Sequence, residues 1–187
     1  MDKDHELSKL KKSILKLKKN FRGKNLVFSD GNKDSKVMII GEAPGRTEDK
    51  LQKPFVGRAG KLLDSLLETV NLDRTTVYIT NVVNYRPDKN RKPTSKEINQ
   101  FKKLLFKHIK IISPKSILLL GATAAAAVLN YIGPLSEVRG KWKSKKIPLL
   151  KVKFYQALSL SKINSDLKKV SVALKSETVK KVGNQYV

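Results

Sequence analysis

The sequence predicts a single α/β domain built on a parallel sheet that helices cover on both faces. The chain has 187 residues, 40% of them hydrophobic, and short apolar runs alternate with amphipathic segments along most of its length. That length and apolar content suit one domain with its own core. The alternation of strands with helices favours a parallel sheet.

A basic amphipathic helix is predicted first, over residues 3–20, from apolar positions spaced by three and four: Leu7, Leu10, Ile14 and Leu17. A turn-like stretch, 29–32, follows it. Four β-branched or leucine-rich runs then predict buried strands: Val37–Ile40, Val77–Val83, Ile117–Leu120 and Ile147–Phe154.

Helices are predicted between these strands. One apolar stripe predicts the first of them: Leu62, Leu63, Leu66, Leu67 and Val70. Thr94 and Glu97 form a capping-box pattern that starts the next helix, and Pro114 ends it. Gly121 leads the third strand into an alanine-rich helix that stops at 133–134.

Composition excludes several classes of protein. The chain has no cysteine and only two histidines, which excludes disulfides and cysteine-bound clusters and makes a zinc site unexpected. No apolar run approaches the roughly 18 residues of a membrane helix, and the charged N-terminus lacks a signal-peptide core. We therefore expect a cytoplasmic protein with no metal and no membrane partner.

The charge balance favours a polyanionic partner. Lysine and arginine number 40 against 16 acidic residues, a net charge of +24, and such a field attracts a phosphate backbone. A codon-biased, AT-rich coding sequence would also produce many lysines, so charge alone leaves both explanations open.

Unusual residues cluster where the first two predicted strands end. In parallel α/β sheets, ligands bind outside the carboxyl ends of the strands. Glu42 lies there in a tight loop, Phe55 lies in a Pro/Gly-flanked loop, and Asn81 is a lone amide in an apolar strand end. Each has a structural alternative: Glu42 and Asn81 could brace neighbouring backbone, and Phe55 could simply pack in the core. Gly41–Gly45 matches neither a P-loop nor a dinucleotide-binding motif.

Seven motifs occur in a fixed order over roughly residues 25 to 155: Val37–Asp49, Pro54–Asp64, Val77–Val83, Arg86–Pro87, Asn90–Thr94, Gly121–Ala124 and Val138–Trp142. Taken together, these motifs resemble those of the family-4 uracil-DNA glycosylases. The resemblance implies a three-layer α/β/α sandwich around a central four-stranded parallel sheet. It also implies an enzyme that hydrolyses the N-glycosidic bond of a flipped-out uracil in DNA.

The same resemblance assigns roles to individual residues. Phe55 would stack on the uracil, Asn81 would hydrogen-bond its Watson–Crick edge, and Gly41 and Ala43 would line the pocket. Glu42, helped by Glu48, would position or activate the attacking water. Further residues would contact DNA: Arg58, Arg86, Arg91, Lys92 and the inserting Leu158.

Two departures from the family pattern stand out. Tyr85 and Phe101 lie at or near positions where many members carry cysteines for an iron–sulfur cluster, so we expect no cofactor and aromatic packing instead. Tyr155 stands where a histidine would stabilise the departing uracil anion, and losing one such donor typically costs about 10²–10³ in rate. A weakened glycosylase is therefore expected.

Two other functions stay open: a protein that holds uracil-containing or abasic DNA without turnover, and a different base-excising or nucleotide-handling enzyme on the same scaffold. We expect a monomer with three parts. These are an N-terminal helix (1–24), a glycosylase-like domain (25–167) and a basic, mobile tail (168–187).

Overall fold

A computed structural model describes residues 2–134 and 137, together with the backbone of residues 142–147 and 150–157. Five helices lie within these residues: α1 (Lys3–Leu15), α2 (Arg46–Leu51), α3 (Arg58–Glu68), α4 (Ser95–Ile112) and α5 (Ala122–Leu129). Six strands accompany them: β1 (Ser29–Gly31), β2 (Val37–Gly41), β3 (Tyr78–Asn81), β4 (Ser116–Leu120), β5 (Trp142–Ile147) and β6 (Leu150–Ala157).

All six strands form one sheet in the order β1-β3-β2-β4-β6-β5. The four central strands, β3, β2, β4 and β6, pair in parallel, so the predicted four-stranded parallel core is confirmed. The sheet as a whole is mixed, because β1 and β5 each add an antiparallel edge.

Alternate residues of the central strands face two separate cores. Met38 and Ile40 pack in one cluster with apolar residues of α1, α4 and α5. Val37 and Ile39 pack in a second cluster with the leucines of α3. Since side chains alternate between the faces of a strand, this division places helices on both sides of the sheet and confirms the three-layer sandwich.

The helix boundaries follow from local sequence signals. Thr94 and Glu97 form the predicted capping box: the Thr94 hydroxyl accepts from the Glu97 amide at 3.2 Å, and the Glu97 carboxylate accepts from the Thr94 amide at 2.7 Å. Ser113 ends α4 in the left-handed conformation immediately before Pro114. The predicted helix over 3–20 is α1 followed by a 3₁₀ turn over Lys16–Asn20.

The two edge strands differ from the sequence prediction. The stretch 29–32, predicted as a turn, contains β1, which pairs with β3 through Ser29–Thr80 and Gly31–Tyr78. The single strand predicted over 147–154 covers the last residue of β5 and the first five residues of β6, which is its antiparallel neighbour. Ser-Asp-Gly and a lysine-rich run have low strand propensity, so pairing with a formed sheet determines both edges.

In the part of the chain that the structure describes, no helix combines the length and apolar character needed to cross a bilayer. The predicted tail, 168–187, lies outside the described residues, as does the C-terminal end of the predicted glycosylase-like domain.

Candidate active site at the carboxyl edge of the sheet

The parallel pairing of β2 with β3 brings the ends of both strands together. Gly41, the last residue of β2, pairs with Asn81, the last residue of β3. The backbone amides of Val82 and Val83 then donate to the carbonyls of Gly41 and Glu42, at 2.9 and 3.1 Å. These bonds hold the two strand ends in a fixed register as the chain leaves the sheet.

Phe55 and Asn81 converge over Gly41. A Cβ atom added to Gly41 would lie 2.4 Å from Cζ of Phe55 and 2.5 Å from Oδ1 of Asn81. Any other residue at this position would displace the ring or the amide. Glycine is therefore required here by a close approach of two side chains.

The amide of Asn81 has an unused acceptor. Its side chain is 3% exposed, and its Oδ1 is buried without a hydrogen-bond partner among the described residues. An unsatisfied buried polar group costs about 1–3 kcal/mol, and such groups in native proteins call for an explanation. A ligand with an N–H donor would satisfy this oxygen.

The backbone of Phe55 adopts a strained conformation. Its φ is +54°, a left-handed value that costs a non-glycine residue about 1–3 kcal/mol and that clusters at functional sites. The half-buried ring packs against the cluster that α3 forms with the sheet. A Cβ on Gly60 would come 1.7 Å from the Phe55 carbonyl oxygen, so α3 approaches this backbone closely.

Two carboxylates that follow β2, Glu42 in the loop and Glu48 in α2, have different environments. Glu42 is half-buried and accepts a hydrogen bond from the hydroxyl of Thr123 on α5. Glu48 accepts three backbone amide hydrogen bonds: from Gly45 at 3.1 Å, Val56 at 3.1 Å and Gly57 at 2.7 Å. Glu42 thus keeps one oxygen outside the Thr123 bond, whereas both oxygens of Glu48 hold the loops on either side of α2.

Comparison with known proteins identifies the family. The model of the uracil DNA glycosylase superfamily matches residues 28–181. The type-4 uracil-DNA glycosylase of Sulfurisphaera tokodaii is 37% identical over 176 residues, covering 88% of this chain and 79% of the relative. The chain belongs to the uracil-DNA glycosylase superfamily.

Two further type-4 relatives support the assignment. The enzyme of Saccharolobus solfataricus is 36% identical, with 83% of this chain and 79% of the relative covered. That of Thermotoga maritima is 48% identical over 100 residues, 54% of this chain and 52% of the relative. The match therefore extends over most of this uracil-DNA glycosylase superfamily chain.

Aromatic side chains occupy the region in which many family members are expected to carry cysteines for an iron–sulfur cluster. Tyr85 and Phe101 are fully buried, and Phe21 stacks on Tyr85 with ring centroids 5.1 Å apart. Phe21 also meets Phe101 edge-on at 5.7 Å. We call these three residues the aromatic cluster. It leaves no ligands for an iron–sulfur group, and the described residues hold no grouping of acidic or histidine side chains suited to a metal ion.

The structure places the remaining predicted site residues at several points. Ala43 is partly buried and packs against the core cluster that contains Met38 and Ile40. Tyr155 lies on β6, paired with Leu118 of β4, and Leu158 lies outside the described residues.

The predicted DNA-contacting cations lie on the surface. Arg58 begins α3 and is exposed, as is Lys92. Arg86 donates to Asn90 Oδ1 at 2.6 Å, and Arg91 donates to both oxygens of Glu97 at 2.7 Å. The hydrogen bond from Arg91 outweighs desolvation and lowers the pKa of Glu97 to about 2.

A basic cavity of about 290 Å³ lies beside the aromatic cluster. Its charged lining combines five cations with two acids: Lys19, Arg22, Lys24, Arg86, Arg91, Asp88 and Glu97. The first three of these cations were not predicted as a group, because their convergence depends on how the N-terminal segment packs. Thr123 was not predicted as a site residue either, although it lies within the Gly-Ala-Thr-Ala motif.

Proposed function

We propose that the chain is a uracil-DNA glycosylase that hydrolyses the N-glycosidic bond of a flipped-out uracil in DNA. The observation that carries the proposal is the unpartnered Oδ1 of Asn81, buried beside the ring of Phe55 and over Gly41. The names of the type-4 relatives support it.

Asn81 supplies the base selectivity in this proposal. Its Oδ1 accepts from N3–H of uracil while its amide N–H₂ donates to O4. Cytosine presents an amino group and a bare N3, so both hydrogen bonds would be mismatched. The pocket reads a base that has left the duplex stack, at an unstacking cost of a few kcal/mol.

Phe55 supplies a stacking surface for the base. A base lying on an aromatic ring gains about 1–3 kcal/mol. The ring is close to the acceptor of Asn81 above Gly41, so stacking and edge recognition act on the same base.

Glu42 is the proposed catalytic carboxylate. The Thr123 hydroxyl fixes one of its oxygens, and the other is left to orient a water molecule toward the sugar. A nearby carboxylate also stabilises the oxocarbenium-like transition state of glycosidic cleavage. Glu48, proposed from the resemblance as a helper, acts here by positioning the loops, because its oxygens accept backbone amides.

Tyr155 is the proposed reason for weakened activity. A phenol can donate to the uracil anion, but it replaces the expected histidine, and the loss of one well-placed donor costs about 10²–10³ in rate. This substitution also favours the second candidate function, a protein that binds uracil-containing or abasic DNA without turnover.

DNA binding is proposed to use the basic surface. Arg58, Arg86, Arg91 and Lys92 would contact phosphates, and Leu158 would insert into the duplex. Cations that neutralise phosphates release counterions, so affinity would fall steeply as salt is raised. A salt-independent affinity would contradict this part of the proposal. We further propose that the protein acts as a monomer, which sedimentation equilibrium measures directly.

The test is a single-turnover assay on a single-stranded oligonucleotide with one uracil, followed by alkali. Strand breaks at the uracil support the glycosylase, and Glu42→Gln, which keeps the size of the side chain, should abolish them. Retention of the oligonucleotide without breaks, in wild type and variant alike, would support the binding protein instead.

A further inference from the structure

Arg74 lies in the connection between α3 and β3 and joins three parts of the chain. Its side chain is 21% exposed. Nη1 donates to Asp30 Oδ2 of β1 at 2.6 Å, and Nε donates to Asp64 Oδ1 of α3 at 2.9 Å. Two acids on separate elements therefore fix the guanidinium in one orientation.

The remaining donors of Arg74 reach the backbone of the loop before α3. Nη1 also donates to the Pro54 carbonyl at 3.1 Å, and Nη2 donates to the Phe55 carbonyl and, at 3.3 Å, to Asp64 Oδ2. A guanidinium has five N–H donors in a rigid fork, and here each of them has an acceptor. A lysine ammonium, with three donors around one atom, cannot reproduce this pattern.

The Phe55 carbonyl that accepts from Arg74 belongs to the residue with the strained backbone. Its φ of +54° is a conformation that an aromatic residue leaves unless its surroundings hold it. Gly60 lies against one side of the carbonyl, Arg74 bonds to it, and Glu48 holds the next two amides, those of Val56 and Gly57. The direction of the Phe55 ring depends on this backbone.

We propose that Arg74 is a positioning residue for base recognition: it holds Phe55 in the left-handed conformation that places the ring over Gly41 beside Asn81. This inference rests on the proposed function, in which that ring stacks on uracil. Arg74 itself does not touch the base, so its effect passes through Phe55. Asp30 and Asp64 serve by orienting the guanidinium.

The experiment measures kcat/KM for uracil release from the single-stranded oligonucleotide, together with the midpoint of thermal unfolding. Arg74→Ala should lower kcat/KM about 100-fold, in line with the effect of small misplacements in active sites. Arg74→Lys, which retains the charge, should recover little of the lost kcat/KM. It replaces Arg74→Ala in the test if the alanine variant does not fold. Lys3→Ala is the matched control. Like Arg74, Lys3 donates to two backbone carbonyls, at 3.1 and 3.2 Å, and pairs with an acid, but it lies far from Arg74 in the sequence.

Two readouts separate positioning from general destabilisation. Added guanidinium ion should restore several-fold activity to Arg74→Ala and leave Lys3→Ala unchanged. In a Phe55→Ala background, Arg74→Ala should change kcat/KM by less than about 3-fold, because coupled residues are non-additive.

The outcomes distinguish this inference from the proposed function. The positioning role alone would be overturned if the wild type is active and Arg74→Ala lowers kcat/KM as much in the Phe55→Ala background as in the wild type. It would also be overturned if Lys3→Ala lowers kcat/KM as much as Arg74→Ala does. A wild type that releases no uracil would overturn the proposed function and the inference together.

Discussion

The pocket at the end of β3 and the aromatic cluster just beyond it illustrate opposite ways of using buried side chains. At the pocket, Asn81 leaves an acceptor unpaired and Phe55 adopts a strained backbone conformation. Four residues beyond Asn81, Tyr85 is fully buried against Phe21 and Phe101, and its hydroxyl reaches the Ile14 carbonyl at 3.4 Å. The pocket retains binding capacity at a cost in stability, whereas the aromatic cluster contributes stability. Departures from local rules concentrate where function is expected.

Asn81→Asp should have the largest effect and would act on the pocket alone. The change removes the amide donor and adds an oxygen that can accept from the amino group of cytosine. Uracil release should fall about 10³-fold, because the site no longer offers the hydrogen-bond donor that pairs with uracil. The ratio of cytosine to uracil release should rise. Paired assays on the two oligonucleotides measure this ratio.

The matched control is Asn84→Asp. The amide of Asn84 donates to the carbonyls of Val27 and Phe28, both at 3.1 Å, so the change should reduce stability and leave base preference unaltered. Unchanged base preference in Asn81→Asp would disprove the recognition role of Asn81.

Tyr85→Ala should have the next largest effect and would act on the aromatic cluster alone. Removing a fully buried ring costs about 3–5 kcal/mol of the free energy of unfolding, which urea denaturation measures. Activity per folded molecule should stay within about 3-fold of wild type, because Tyr85 stacks with Phe21 and Phe101, which are not residues of the pocket, and sites without shared partners behave independently. Tyr85→Phe should cost far less, since its hydrogen bond is long. A large loss of activity in folded Tyr85→Ala would show that the two regions are coupled.

Glu48→Gln should have an intermediate effect that connects stability with function. The carboxylate accepts three backbone amides, and hydrogen bonds to charged groups contribute about 1.5–3 kcal/mol. We expect about 2 kcal/mol lower stability and about 10-fold lower kcat/KM for uracil release, because the Phe55 loop loosens. Glu68→Gln, at an exposed site ending α3, should match wild type in both measurements. Wild-type kcat/KM in Glu48→Gln would argue against loop positioning.

The effect that is smallest at neutral pH, and grows only as the pH is lowered, belongs to His108, which lies in the core on the aromatic-cluster side. His108 is 1% exposed, its Nε2 lies 2.8 Å from the Tyr78 hydroxyl, and burial lowers its pKa from 6.5 to about 3. Between these values the unfolded state binds a proton that the native state does not, so stability falls as pH falls from 6.5 toward 3.

Chemical denaturation across that pH window tests the effect. His108→Gln should show a shallower dependence of unfolding free energy on pH than wild type. His5→Gln changes the exposed histidine of α1 and should retain the wild-type slope. Equal slopes in wild type and His108→Gln would mean that this histidine titrates normally.

Sequence alone predicted the central strands and the residues at their ends, because both depend on local patterns. β-Branched runs predicted the parallel core, and the capping box at Thr94 fixed the start of α4. Glu42, Phe55 and Asn81 were predicted to lie at one site because parallel strands end at one edge of the sheet.

Other features depend on contacts between distant parts of the chain. β1 and β5 form only by pairing with a formed sheet, and Phe21 joins Tyr85 and Phe101 across large separations. Neither the five hydrogen bonds of Arg74 nor the φ of Phe55 has a signature in composition or periodicity. The positioning of the pocket was therefore the part that the sequence did not reveal.

The aromatic cluster has a consequence for the conditions under which the protein folds. Three aromatic rings join the segment after α1 to the sheet and α4, and the chain contains no thiol. Apolar packing of this kind needs neither iron delivery nor a cluster-assembly step, and peroxide or a chelator does not dismantle it. This face of the molecule should therefore fold equally well in iron-starved or oxidising surroundings.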